Sequence, residues 1–360
     1  MGKIRVAIAG VGNCASSLVQ GIEYYRWVTK DSGYVPGILF NEMEGYLIND
    51  IEFVAAFDIH ANKIGKDLSE AIFTKPNCAT KFCEVPSIGV IVQKGPVLDG
   101  IGEKLKNIIP IENSQKEIIV SDTLKEHEAE ILINFLPTGS IEATEYYAEE
   151  SIRANCAFIN AIPEPIASNL KWRQKYEKAG LPLVGDDLKS QIGATILHRT
   201  IIDLLCKRGA YLKYTSQLNV GGNTDFINLS ENNRVESKIE SKKISLINLV
   251  SYPFDLLVSQ PQYIESQGDN KVCYISLKGE NFGNRPFSID LKLSVEDSPN
   301  AAGVMIDIIR AIKIALDNKK SGILSDICSY YFKYNDNTNS DSYIYWQIEK
   351  NYSVDNYGKS

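Results

Sequence analysis

The apolar run Ile4–Ala9 passes without a break into Gly10, Val11, Gly12, Asn13, Cys14 and Ala15, and a helical pattern follows over 15–27. Strand, glycine turn and helix in that order leave few folds available, because a parallel α/β sheet builds a dinucleotide-phosphate cradle in this way. Gly10 permits the tight turn, and Gly12 lets a pyrophosphate approach the backbone. The helix start then offers its unpaired N–H groups and positive dipole end to the phosphates. Ala15 stands where a third glycine is common. The ribose hydroxyls call for an acidic side chain at the end of the next strand, and the run 53–57 leads to Asp58, whose charge favours NAD over NADP. The stretch 31–50 reads as an insertion that lengthens the usual spacing between turn and acid.

Short apolar runs at 53–57, 89–93, 131–135, 157–161 and 181–184 continue the pattern. Helical periodicity separates them at 63–73, 142–153, 171–178 and 191–206. This alternation predicts a doubly wound, Rossmann-type parallel sheet. Beyond Gly209 the chain changes to strand alternation at 214–220, 272–277 and 287–295, with one lysine-rich amphipathic segment at 238–249. An apolar face at helical spacing then recurs over 301–316. The expected organisation is a dinucleotide domain at 1–208, an inserted strand-rich α+β catalytic and oligomerisation domain at 209–297, a helix at 298–334 that returns to the first domain, and a tail at 335–360. That tail is rich in Asn, Asp, Ser and Tyr and is expected at the surface or frayed.

With 360 residues, 44% of them hydrophobic, the chain can bury two cores. No run reaches the roughly 20 apolar residues that cross a membrane, and the apolar start is too short for a signal peptide, so a cytoplasmic protein is expected. A net charge of −7 argues against nucleic acid. The seven cysteines form no CxxC pair and the three histidines are far apart, which makes a zinc ribbon or a disulfide framework improbable on spacing. Cys78 and Cys83, the closest pair, read as free thiols.

Three polar segments exceed what hydride transfer alone needs. Gly185, Asp186, Asp187, Leu188, Lys189 and Ser190 fall where a strand ends and a helix begins, at the carboxyl edge where such sheets bind ligands. Ser190 as a helix cap is the plainer reading of that segment. Asn219 to Asp225, with paired glycines, reads as a polar ligand loop or as a turn. Lys238 and Lys242 lie one helical turn apart on one face, either solvated or holding a phosphate and a developing oxyanion.

The segments 10–17 (Gly-Val-Gly-Asn-Cys-Ala-Ser-Ser), 184–191 (Val-Gly-Asp-Asp-Leu-Lys-Ser-Gln), 219–225 (Asn-Val-Gly-Gly-Asn-Thr-Asp), 236–242 (Glu-Ser-Lys-Ile-Glu-Ser-Lys) and 297–303 (Asp-Ser-Pro-Asn-Ala-Ala-Gly) together resemble myo-inositol-1-phosphate synthases of the prokaryotic type, over 4–333. The resemblance implies an isomerase that cyclises D-glucose 6-phosphate to 1L-myo-inositol 1-phosphate. In it NAD is reduced and reoxidised within one turnover, as the first step towards inositol and its phospholipids. It also implies a homotetramer. By family position the catalytic groups are Lys238, Lys242, Lys271 and Lys333 with Asp187, Asp297 and Asn223, and Lys238 is expected to take the C5 hydroxyl proton. The cofactor side is expected to include Gly10, Gly12, Asn13, Cys14, Ala15, Asp58, Asp67, Thr138, Gly139, Tyr147, Ser190 and Asp225. Metal ligands are not legible, and a divalent or monovalent cation stays open. The competing reading is a net NAD-dependent sugar-phosphate or amino-acid dehydrogenase.

Overall fold

The structure, a computed structural model, describes residues 2–333 and 341–352. Its first part runs β1 Ile4–Ala9, α1 Asn13–Tyr24, β2 Ile51–Asp58, α2 Leu68–Ala71, β3 Val92–Lys94, α3 Glu103–Lys106, α4 Val120–Glu126, β4 Ile131–Asn134, α5 Ile141–Arg153, β5 Ala157–Asn160, α6 Leu170–Ala179, β6 Pro182–Val184 and α7 Ala194–Lys207. The second part runs β7 Tyr211–Gly221, α8 Thr224–Asn228, α9 Asn232–Ile247, β8 Asp255–Val258, β9 Gln262–Tyr263, β10 Asn270–Asn281 and β11 Arg285–Glu296. Then follow α10 Asp297–Asp317, β12 Gly322–Ile323, α11 Ser325–Tyr331 and α12 Asp341–Tyr352.

Among the described residues the first sheet is parallel, in the order β12-β6-β5-β4-β1-β2-β3. Its central strands are apolar on both faces because helices cover both. Ile4, Val6 and Ile8 pack into one core with residues of α1, α10 and α11, while Ala7 and Ala9 face residues of α4, α5 and α6. The strand order reverses between β1 and β4, and a crevice opens there at the carboxyl ends of the strands. The second sheet is mixed, ordered β11-β10-β7-β8 with β9 beside β7. One face of it packs its alternate apolar residues against α7 and α9. No helix among the described residues is long and apolar enough to cross a membrane. All seven cysteines are free thiols.

Three local expectations change, and the 31–50 insertion finds its place in the core. The 63–73 segment is helical only over Leu68–Ala71, because Asp67 caps it and the preceding residues turn to pair with β3. Helix α7 starts at Ala194 with Gly193 as its uncapped N-cap, so Ser190 is not a helix cap. The 31–50 insertion packs into the core through Val35, Ile38, Phe40, Met43, Tyr46 and Ile48. Arg310, fully buried on α10, donates to the carbonyls of Phe40, Asn41 and Tyr46 and pairs with Asp307. The tail is not frayed over 341–352 either: α12 buries Ile344, Ile348 and Tyr352 in the main core, and Tyr345 stacks on Phe40. An Asn- and Ser-rich composition hides that apolar spacing. The rest of the tail expectation, at 335–340 and 353–360, lies outside the described residues. Ile348→Ala, leaving a cavity at a fully buried position, should cost about 2–5 kcal/mol in urea unfolding; a loss near zero would place α12 outside the cooperative fold.

Candidate active site

One cavity joins the carboxyl edge of the first sheet to the second sheet, and both groups of expected residues meet in it. On the first side, Gly10 adopts φ +92°, and a Cβ there would lie 2.7 Å from the Phe135 carbonyl oxygen. Only glycine suits both constraints. Around Gly12, by contrast, a Cβ would meet nothing within 4 Å, so the space above the turn is free for a ligand. Helix α1 has no side-chain cap and no acidic residue in its first turn, which leaves its first amides for an anion. Asp58 accepts from the amides of Val11 (2.9 Å), Ile59 (2.7 Å) and His60 (2.9 Å). A carboxylate offers about four acceptor positions, so one stays open for a hydroxyl. These features fit a dinucleotide.

The other cofactor-side residues divide. Asn13, Cys14, Thr138, Tyr147 and Ser190 line the cavity. Asn13 also accepts from the amides of Cys78 and Ala79, and burial pushes the Cys14 thiol up to about 12, so it stays neutral. Ala15 lies under the turn in the core. Asp67 does not line the cavity. Its oxygens accept from Ser69, Ser87, Ile88 and Gly89, which bind the 87–89 loop and hold its carboxyl at about 2 against the opposing effect of burial. Gly139 is outside the lining as well; a Cβ there would sit 2.7 Å from Cγ of Arg234.

Four lysines enter the opposite side, placed by three different segments. Lys238 and Lys242 project one turn apart from α9. Lys271 comes from β10, where it pairs with Val295 of β11, so the hairpin register sets it beside Asp297 at the start of α10. Lys333 follows α11. Its amide donates to the Asp187 carbonyl (2.8 Å), and Lys189 donates to the Tyr331 carbonyl (2.7 Å), a short antiparallel clamp around the Leu188–Phe332 bridge. Three ion pairs result: Lys238 with Asp225 (2.7 Å), Lys271 with Asp297 (2.9 Å) and Lys333 with Asp187 (2.7 Å). Asp225, expected on the cofactor side, thus works on the lysine side.

Of the adjacent aspartates only Asp187, at φ +62°, reaches the cavity. Asp186 turns back and accepts from Asn160, Ser168 and the amides of 166–168, which locks that loop. Lys189 likewise spends its ammonium on the Ser329 carbonyl (2.7 Å). Asn223 caps α8 through its oxygen and donates to Asp269 (2.9 Å), so it positions Asp225 rather than reaching for a ligand. On sequence Asn219 belongs to the 219–225 segment but has no site role of its own. In the structure Asn219 is 1% exposed, it lines the cavity, and both polar atoms of its amide are unpaired. The available signal was that Thr215, Gln217 and Asn219 put polar groups on the inward face of β7, where apolar residues belong.

Electrostatics separate the lysines. Burial disfavours charge on Lys238, but Asp225, Asp187 and Asp297 outweigh it and hold its pKa above the usual range. Lys271 is raised the same way, with Asp297 overcoming burial. Burial lowers Lys333 despite Asp187. Lys242 has no carboxylate partner among the described residues. Burial, followed by the ammonium groups of Lys271, Lys333 and Lys238, pushes it down to about 7. Asp297 sits below its ordinary value because Lys271 and Lys238 overcome its burial. Of the four cavity carboxylates, Asp187, Asp225 and Asp297 are committed to lysines and Asp58 to backbone amides, and no group of three His, Cys, Asp or Glu among the described residues could hold a metal. This donor set does not fit a metal cage.

A sheet in Rossmann order with a glycine turn, facing lysines carried by α9, β10 and the segment after α11, defines a two-part α/β enzyme. Comparison specifies which. The family described as Myo-inositol-1-phosphate synthase matches residues 193–298. Inositol-3-phosphate synthase of Mycolicibacterium smegmatis is 45% identical over 92% of this chain and 93% of its own length, and that of Corynebacterium glutamicum is 44% identical over the same shares. The crystal structure of Ari2 superposes with a TM-score of 0.78 at 34% identity, covering 97% of this chain and 98% of that one. The chain belongs to the myo-inositol-1-phosphate synthase family.

Because folding lowers the Lys242 pKa, the folded protein binds fewer protons than the unfolded chain between about pH 7 and 10.5. The resulting penalty grows as pH falls through that window and is complete below it. Lys242→Met should therefore raise the thermal midpoint more at about pH 6.5 than at about pH 10; equal shifts at both would contradict this protonation state.

Proposed function

We propose that this chain converts D-glucose 6-phosphate to 1L-myo-inositol 1-phosphate without net redox, with NAD on the Gly10 to Ala15 turn and Asp58. The observation that carries the reading is the cavity that sets three Lys–Asp pairs and the near-neutral Lys242 against a dinucleotide cradle; Lys189, lowered to about 7 as well, has its Nζ on the Ser329 carbonyl instead. When bound, NAD supplies the reversible oxidation and re-reduction at the sugar carbon that the cyclisation requires.

The chain's own groups then divide the remaining work. Taking the C5 hydroxyl proton needs an amine that is uncharged near neutral pH. Lys238, expected in that role, is kept protonated by Asp225, so the role passes to Lys242. An arriving phosphate dianion would strengthen Lys242's hold on the proton it receives. Lys238, Lys271 and Lys333 hold the phosphate and stabilise the enolate and alkoxide oxygens, charges that develop in a site with little water. Asp187, Asp225 and Asp297 aim these ammonium groups, and the unpaired Asn219 amide serves a sugar hydroxyl. No step is assigned to a metal.

The division at 1–208, 209–297 and 298–334 follows this assignment of roles, in a cytoplasmic enzyme. The full-length edge strand β11, with alternate residues exposed, supports assembly as a homotetramer; light scattering on the purified protein tests it.

Incubation with NAD and glucose 6-phosphate should yield inositol phosphate with flat absorbance at the NADH band. Steady NADH accumulation would instead identify a net dehydrogenase. Lys242→Met should lower kcat at least about a hundred-fold, the scale of a lost general base, with NADH binding by fluorescence retained. An active Lys242→Met enzyme would return the base to another lysine.

A further inference from the structure

The helix that carries Lys238 and Lys242 is fastened at its start to the walls of the dinucleotide side. Two segments of the first part form those walls: 95–109, which contributes Pro96, Ile101 and Leu105, and 137–143, which contributes Pro137 and Thr138. Glu231, the residue before α9, accepts from the amides of Lys104 (2.7 Å) and Glu103 (3.3 Å). Arg234, 7% exposed in the first turn of α9, donates to the carbonyls of Asp99 (2.6 Å) and Thr138 (3.2 Å), and so spans both walls. The Lys104 ammonium returns the contact to Ser230, at 2.7 Å to its hydroxyl.

Two glycines make room for this joint. A Cβ on Gly102 would lie 2.7 Å from Glu231 Oε1 and 2.9 Å from Arg234 Nε, and one on Gly139 would lie 2.7 Å from Arg234 Cγ. Gly139 has φ +87°, but Gly102 does not have a left-handed backbone, so crowding by the latch accounts for its lack of a side chain. Separating the cavity walls from the start of α9 would require breaking these Glu231 and Arg234 hydrogen bonds.

We infer that Glu231 and Arg234 are positioning residues that latch the walls of the dinucleotide cavity to the lysine helix, so that the cofactor is retained between turnovers and the lysines are presented only when the walls are closed. This rests on the assignment of NAD to that cavity. Retention suits a cofactor that leaves each turnover in the state in which it began. A fork-shaped guanidinium on two carbonyls and a carboxylate on two amides hold by geometry as well as charge, and a shorter or single-armed group cannot reproduce that.

The probe is NADH, with release followed by stopped-flow fluorescence against excess NAD, and kcat and KM for glucose 6-phosphate measured on the same preparations. Arg234→Met and Glu231→Ala should release NADH at least about tenfold faster and lower kcat, with Arg234→Lys recovering part of the loss. Gly102→Ala, which unseats the latch from the other side without removing a charge, should do the same; it keeps the test open if Arg234→Met fails to fold. Wild-type release rates in folded Gly102→Ala and Glu231→Ala would overturn the latch. A wild-type protein that binds no NADH would overturn the cofactor assignment itself, and the inference with it.

Discussion

The cost of burying charge organises this molecule. Four lysine side chains converge on the side of the cavity opposite the glycine turn, where an ammonium group is strongly disfavoured without a counter-ion. Three aspartates come from separate elements to meet three of them: Asp187 after β6, Asp225 on α8 and Asp297 on α10. The fourth lysine meets the cost by giving up its charge. The same physics that makes the site expensive therefore leaves Lys242 near-neutral beside its cationic neighbours, as proton abstraction requires; burial lowers the cavity-lining Lys189 as far, but its Nζ is turned to the Ser329 carbonyl.

Much of the surrounding structure serves these pairs. The clamp between 187–189 and 331–333 exists only if α11 returns to the first sheet, and α10, β12 and the core face of α12 bring it there. The β10–β11 register delivers Lys271 and Asp297 together, since a shift by one residue would turn Lys271 to the other face. Asp269 links this corner to the α8 loop by accepting from Asn223 and Ser298, and burial raises its carboxyl above the ordinary value. Cradle and lysine cluster are thus parts of one polar framework that crosses between the two sheets.

Much of the architecture was legible in the chain. The strand-turn-helix at Gly10, the alternation up to 205 and the change to period-two alternation afterwards follow from side-chain periodicity, which acts over a few residues. The i, i+4 spacing put Lys238 and Lys242 on one face, and ordered motifs gave Lys271, Lys333 and Asp297 by family position. What failed did so for long-range reasons. Asp67 carries the right chemistry in the right neighbourhood, yet its oxygens are taken by the 87–89 loop, whereas Ser190 does line the cavity although α7 starts beyond it. Asp186 and Asp187 are indistinguishable as neighbours, and only the backbone turn at Asp187 decides which faces the cavity.

By itself, then, the sequence determined the elements, the dinucleotide turn and the inventory of lysines and aspartates, because those depend on local pattern and residue type. The tertiary structure alone decided which aspartate neutralises which lysine, and so which lysine is left near-neutral. It also decided that Asn219 rather than Asn223 has a free amide, and that α12 belongs to the core. Each of these is set by the distances between groups far apart in the chain, and ionisation and hydrogen bonding answer to those distances rather than to order along the sequence.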